Sequence, residues 1–134
     1  MPRMWAIGRT ASAGGCRVIE ASCHCGDVRL RIETAPTVLN NCQCPICRRY
    51  GALWAYYHPS QVQIIVSGAQ TDTYTCGDPA RAYHRCGRCG CVTHWTGARL
   101  QSGQERMGVN AHLMARDAIR HSDVLRIGRP CLDH

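Results

Sequence analysis

The sequence predicts a mainly β domain whose short antiparallel strands carry zinc knuckles on their hairpin turns. Two observations lead to this. Apolar and polar residues alternate over short runs: Val28, Leu30 and Ile32 interleave with Arg29, Arg31 and Glu33, the period-2 mark of a half-buried strand. Cysteines also gather in three tight clusters, Cys23-His24-Cys25-Gly26, Cys42-Gln43-Cys44-Pro45-Ile46-Cys47 and Cys86-Gly87-Arg88-Cys89-Gly90. Gly and Pro punctuate all three, as metal-binding turns require.

Taken in order, residues 1–16 are rich in Gly, Ala, Ser and Arg without a period and read as a flexible tail. The folded domain is expected over 17–134. Strand-like runs follow at 18–22 and 28–33, with the first cysteine pair in the turn between them. Pro45 suits the first position of a helical turn running over 46–49. Further strands are expected at 53–58, 61–67 and 71–75, broken by Pro59-Ser60 and Ser67-Gly68. Residues 80–85 lead into the third cluster and 92–95 lead out, a second strand–knuckle–strand unit. Strands at 106–110 and 124–127 complete the sheet, with a short helix over 113–121.

At 134 residues this is one domain by length. All sixteen basic residues are Arg, and Phe is absent as well, a joint loss that reflects codon bias more than selection for guanidinium chemistry. The formal charge of +7 overstates the folded protein. Seven ligand thiolates and two divalent ions would leave about +4. The arginines are dispersed, with Arg48-Arg49 the single adjacent pair, so a nucleic-acid footprint is weak. No run approaches the roughly eighteen apolar residues of a membrane span, and no signal-peptide pattern precedes the domain. A cytoplasmic protein with reduced, metal-binding thiols is the expectation.

Zinc takes thiolates tetrahedrally. A pair from the first cluster with a pair from the third makes a closed four-sulfur structural site. The middle cluster then offers three thiolates, and three ligands with one open position is the arrangement of a catalytic metal. Iron–sulfur ligation is the other metal reading, but a three-cysteine cluster lacks the ferredoxin spacings. Cys16, Cys76 and Cys131 read as small buried hydrophobes. Cys91 reads as a core residue of the outgoing strand, with a fourth thiolate for the middle cluster as the alternative. His94 reads as an ordinary strand histidine, with an approach to the open metal as the alternative. Neither Asp27, Asp72, Asp78, Glu105, Asp117, Asp123 nor Asp133 has the motif context of a general base.

These clusters, the C-H-C-G hairpin, the C-x-C-x-x-C-R triplet ending at Arg48 and the C-x-x-C-G knuckle, resemble the glutathione-dependent formaldehyde-activating enzyme family, also called the centromere protein V-like family. The resemblance runs from about Ile19 through Val124. It implies a β-tent of antiparallel sheets. By matching position it implies a structural zinc on Cys23, Cys25, Cys86 and Cys89 and an open, catalytic zinc on Cys42, Cys44 and Cys47.

The activity it implies is a zinc-dependent carbon–sulfur lyase reaction on a thiol–aldehyde adduct of the S-hydroxymethylglutathione type. The partner is then a small-molecule thiol or its adduct, glutathione among them, with Arg48 and Arg49 as candidates to hold a carboxylate. The chain departs from the family at Gly90-Cys91-Val92, where Thr commonly follows the knuckle glycine. It departs again in the aromatic run from Tyr50 to Tyr57, which could line a pocket for an apolar adduct. The rival reading is a non-catalytic zinc module binding a protein or nucleic acid. A long basic or Pro-rich extension would favour it, and only a short Gly/Ala/Ser tail is present. The sequence carries no signal for oligomeric state.

Overall fold

The computed structural model describes residues 18–68, 70–77, 80–99 and 105–127. The expected tail, Cys16, Asp78, Cys131 and Asp133 lie outside the described residues. Strands β1 (Ile19–Ser22), β2 (Val28–Ile32) and β5 (Val62–Val66) form a three-stranded sheet in the order β1-β2-β5. The second sheet has seven strands. They are β3 (Val38–Asn40), β4 (Trp54–Tyr57), β6 (Thr71–Cys76), β7 (Arg81–Cys86), β8 (Val92–Arg99), β9 (Glu105–Asn110) and β10 (Asp123–Leu125), ordered β10-β3-β4-β9-β8-β7-β6. Helices are short: α1 (Pro45–Tyr50), α2 (Arg116–Ile119) and single 3-10 turns at Pro59–Gln61 and Ala111–Leu113. No helix among the described residues is long and apolar enough to cross a membrane.

The alternation in β2 does what its pattern predicts. Val28, Leu30 and Ile32 are fully buried, and Ile19 and Ala21 of β1 join them. Burying each large apolar side chain contributes about 1.5–3 kcal/mol. They pack on one face of the seven-stranded sheet, made by Ala55, Tyr57, Met107 and Val109. The register Ala55↔Val109 and Tyr57↔Met107 sets those four on the same side, and Trp54↔Asn110 and Tyr56↔Gly108 set the intervening residues on the other. That second face carries Trp54, Tyr83 and Trp95 and packs against Cys42, Cys44 and Cys47. The sheet therefore separates a structural core from a second cluster built around the middle cysteines.

The fold is the expected β-tent with cysteines on turns, with local differences. Residues 38–40 form β3, too short to show an alternation. β8 runs on to Arg99 because Gly97, at φ 111°, lets the strand bend at a register shift between Trp95 and Ala98. The helix expected over 113–121 is split. Asn110 Oδ1 accepts from His112 N at 3.1 Å and caps a 3-10 turn, and α2 follows separately. β10 begins at Asp123 and pairs with β3 in parallel, whereas the other ladders among the described residues are antiparallel.

On the core face, His84 and His94 stack with ring centroids 4.2 Å apart and an interplanar angle of 4°. Each has a hydroxyl neighbour, Thr96 Oγ1 at 2.9 Å from His84 Nε2 and Thr93 Oγ1 at 2.8 Å from His94 Nδ1. Burial, reinforced by the adjacent His84, pushes the His94 imidazole down to about 3. The unfolded chain therefore takes up this proton first as the pH falls. The stabilisation is whole above about pH 6.5 and drains away toward pH 3, a loss on the order of a few kcal/mol. His94→Gln should lower stability at neutral pH yet flatten the fall in urea midpoint between pH 6.5 and 4. Parallel slopes in the two proteins would show that other groups set the acid limb.

Candidate metal centres

The first centre forms where two turns meet. The β1–β2 turn supplies Cys23 and Cys25, and the β7–β8 turn supplies Cys86 and Cys89; all four sulfurs lie within 4.8 Å of one another. Cys23 and Cys25 are 3.7 Å apart at sulfur, and Cys25 and Cys86 are 3.6 Å apart. Four sulfurs about 2.3 Å from a central zinc would stand about 3.8 Å apart, so the spacing fits a tetrahedral ion. Backbone amides already point at the sulfurs: Val28 N donates to Cys23 at 3.3 Å, and Arg88 N and Cys89 N donate to Cys86 at 3.3 and 3.4 Å. Such donors stabilise thiolates. Gly26 and Gly90, at φ 88° and 81°, supply the left-handed turns that bring these amides round. Because one turn belongs to each sheet, this centre ties the two sheets together.

The second centre is built on one turn of helix. Cys44 is the extended N-cap of α1, Pro45 is its first helical residue, and Cys47 follows on the same face. Gly51, left-handed at φ 67°, stops the helix with its N–H on Cys47 O and Arg48 O. Cys42 precedes the helix. The three sulfurs lie within 4.8 Å of one another, and among the described residues no histidine or carboxylate joins them. Trp54 Nε1 donates to Cys47 Sγ at 3.3 Å, and the Tyr83 hydroxyl stands 4.0 Å from the same sulfur.

Proton sharing with Cys47 pulls Cys42 down to about 5, and the same contact, with burial, pushes Cys47 far up. Three crowded thiols release all their protons only when a cation takes their place. A soft all-sulfur set of this kind suits zinc.

The remaining sequence-predicted residues fall as follows. Cys91 lies beside Cys89 and Cys23, its thiol pushed up by burial first and then by those sulfurs. It therefore flanks the first centre, and the alternative that it closes the second does not hold. His94 packs on the core face with His84, opposite to Trp95 and the triplet, so the approach to the second metal does not hold either. Cys76 packs against the triplet's cluster without joining it. Arg48 and Arg49 are exposed on α1, and Arg49 Nη1 donates to Pro45 O at 2.9 Å. The aromatic run divides: Tyr50, Trp54 and Tyr56 belong to the triplet's side, whereas Tyr57 lies in the core with its hydroxyl on Thr34 O at 2.9 Å.

Pairing between distant strands adds residues that local reading missed. Trp95 meets Trp54 edge-on at 6.4 Å and Tyr56 at 6.1 Å. Arg81 lies over Trp95 with its Cζ 4.7 Å from the ring centroid, and Arg106 over Tyr56 at 5.0 Å. Gly108 makes room for this wall, since a Cβ there would collide with the Trp95 indole. Gly108→Ala should therefore cost about 1–3 kcal/mol and alter the near-ultraviolet tryptophan signal. An unchanged melting temperature and spectrum would show that Trp95 has slack.

A family model described as glutathione-dependent formaldehyde-activating enzyme matches residues 18–124. The chain is similar to a crystal structure of a Rhodobacter sphaeroides protein with 24% identity and a TM-score of 0.63, covering 79% of this chain and 99% of that one. At this identity the likeness carries the fold alone. None of the curated proteins matches the chain.

Proposed function

The chain belongs to the glutathione-dependent formaldehyde-activating enzyme family, and on that premise we propose that it is a two-zinc carbon–sulfur lyase acting on a thiol–aldehyde adduct. Cys23, Cys25, Cys86 and Cys89 hold the structural zinc, and Cys42, Cys44 and Cys47 hold the catalytic one. The observation that carries this reading is the asymmetry between the two groups. One has four sulfurs shared between two turns; the other has three, packed with Trp54, Tyr83 and Trp95 on a separate face.

A zinc ion on the three thiolates would lower the pKa of an incoming thiol and polarise an aldehyde carbonyl beside it. Cys44 and Cys47 are almost wholly enclosed, while Cys42 retains 9% exposure, so substrate approaches from the Cys42 side. The Trp54 indole N–H anchors Cys47. Burial first, then the charge of Cys47, pushes the Tyr83 phenol well above its usual range, so it stays a hydrogen-bond donor beside the sulfurs. In the condensation direction the thiolate sulfur forms a bond to the carbonyl carbon. The carbonyl π electrons move to oxygen, which takes up the proton the thiol lost. Cleavage runs the same steps in reverse.

The test is direct. Purified protein should carry close to two zinc ions per chain and accelerate the equilibration of formaldehyde and glutathione with S-hydroxymethylglutathione. Two zinc ions without acceleration for any thiol tried would favour a non-catalytic zinc module.

A further inference from the structure

We propose that Arg81, stacked on Trp95 beside the Cys42/Cys44/Cys47 triplet, is the carboxylate-binding residue of this site and selects a carboxylate-bearing thiol over a neutral one. The inference rests on the proposed function for what happens at the sulfur, but not for the binding of the anion. Arg81 is placed by contact and by register. Its Cζ sits 4.7 Å from the Trp95 centroid, and it lies two residues before Tyr83, which pairs with Trp95, so the strand alternation sets Arg81 on the same face as Trp95. Trp95 packs in one cluster with the triplet, whose least enclosed cysteine is Cys42 at 9% exposure. No carboxylate among the described residues is paired with it.

A guanidinium stacked on an indole keeps its N–H edge available for bidentate contact with a carboxylate, and the stacking fixes its plane beforehand. Half-buried placement makes such a contact worth more than one at an open surface. Arg48 and Arg49 lack these properties: both are exposed, and Arg49 already donates to its own helix. Arg106, stacked on Tyr56 at the far end of the same aromatic wall, gives a second cationic anchor.

The experiment uses the zinc-loaded full chain and titrates S-methylglutathione, which keeps the carboxylates without a free thiol, alongside glutathione and 2-mercaptoethanol. Arg81→Gln should weaken S-methylglutathione about ten- to a hundredfold and reduce the salt dependence of its binding. The affinity for 2-mercaptoethanol and the zinc content should stay unchanged. Arg81→Lys should recover part of the loss, because it keeps the charge without the fork. Arg48→Ala and Arg49→Ala should leave S-methylglutathione binding unchanged.

The proposal is overturned if Arg81→Gln binds S-methylglutathione as the parent does, if it weakens 2-mercaptoethanol equally, or if the parent shows no binding at millimolar ligand. Should both Arg81 variants lose zinc or fold, Arg81 is a structural residue and the proposal fails. Arg81-dependent binding of S-methylglutathione without formaldehyde chemistry would reject the lyase reading and keep the anion site. Formaldehyde chemistry indifferent to Arg81 would do the reverse.

Discussion

Cys86→Ser should abolish soluble folding. Cys86 is 1% exposed, and its sulfur accepts backbone hydrogen bonds from Arg88 and Cys89, so the side chain organises its own turn before any metal is considered. Its sulfur also stands 3.6 Å from Cys25, on a turn of the other sheet. Losing one of four thiolates removes most of a structural zinc's binding free energy, about 10–16 kcal/mol in small zinc domains. The whole stability of a domain this size is about 5–15 kcal/mol, so the metal term is of the same size as the whole of it. The Asp27–Arg88 ion pair between the same two turns offers no substitute. It spans 3.6 Å with Arg88 largely exposed, and such surface pairs contribute under about 1 kcal/mol. Soluble yield, far-ultraviolet circular dichroism and zinc content would report the outcome together. A Cys86→Ser protein that folds with the parent's melting temperature would show that packing between Leu30, Ile32, Met107 and Val109 holds the sheets without the metal.

How much of this was legible in the sequence depends on how local each feature is. Thiolates that share an ion must approach within a few ångströms, and the chain arranges this with glycine turns and one proline-started helix. Both cysteine groups were therefore visible as spacings. The strands around them were visible for a similar reason, since β2 alternates cleanly and Pro59-Ser60 breaks the run between β4 and β5. β3 was not, because three residues carry no period. The Tyr50 to Tyr57 run looked like one aromatic lining, but β4 sends Trp54 and Tyr56 to one face and Ala55 and Tyr57 to the other. Arg81 is the least legible of the residues at the site. Its value comes from Trp95, placed over it by the β7–β8 register through a bulge at His84 and Arg85, and nothing local to residue 81 announces that pairing.

Cys44→Ser should leave the fold intact while removing the second metal and the activity. The contrast with Cys86→Ser follows from where the residue stands. Cys44 is the N-cap of α1, its backbone extended at φ −69° and ψ 159°, and its side chain makes no capping hydrogen bond. Serine is among the preferred residues at that position and can accept from an amide of the first turn, a gain that offsets part of the packing lost at sulfur. The helix joins no two sheets, and its other end is closed independently by Gly51. Apart from the linkage stabilisation lost with the second zinc, the substitution itself should move the melting temperature by no more than about 5 °C, the scale of a change near 1 kcal/mol in a domain of this size, and the protein should stay folded. The site itself has no such reserve. With Cys44 gone, two sulfurs remain and no histidine or carboxylate among the described residues stands within ligand distance to replace it. Elemental analysis should fall from two zinc ions toward one. Acceleration of the formaldehyde–glutathione reaction should drop at least a hundredfold, since even residues that merely support a metal's ligands typically cost about 10–100-fold. If Cys44→Ser is as unfolded as Cys86→Ser, both centres are structural and the lyase reading loses its metal. If it keeps two zinc ions and full activity, the chemistry does not belong to this triplet.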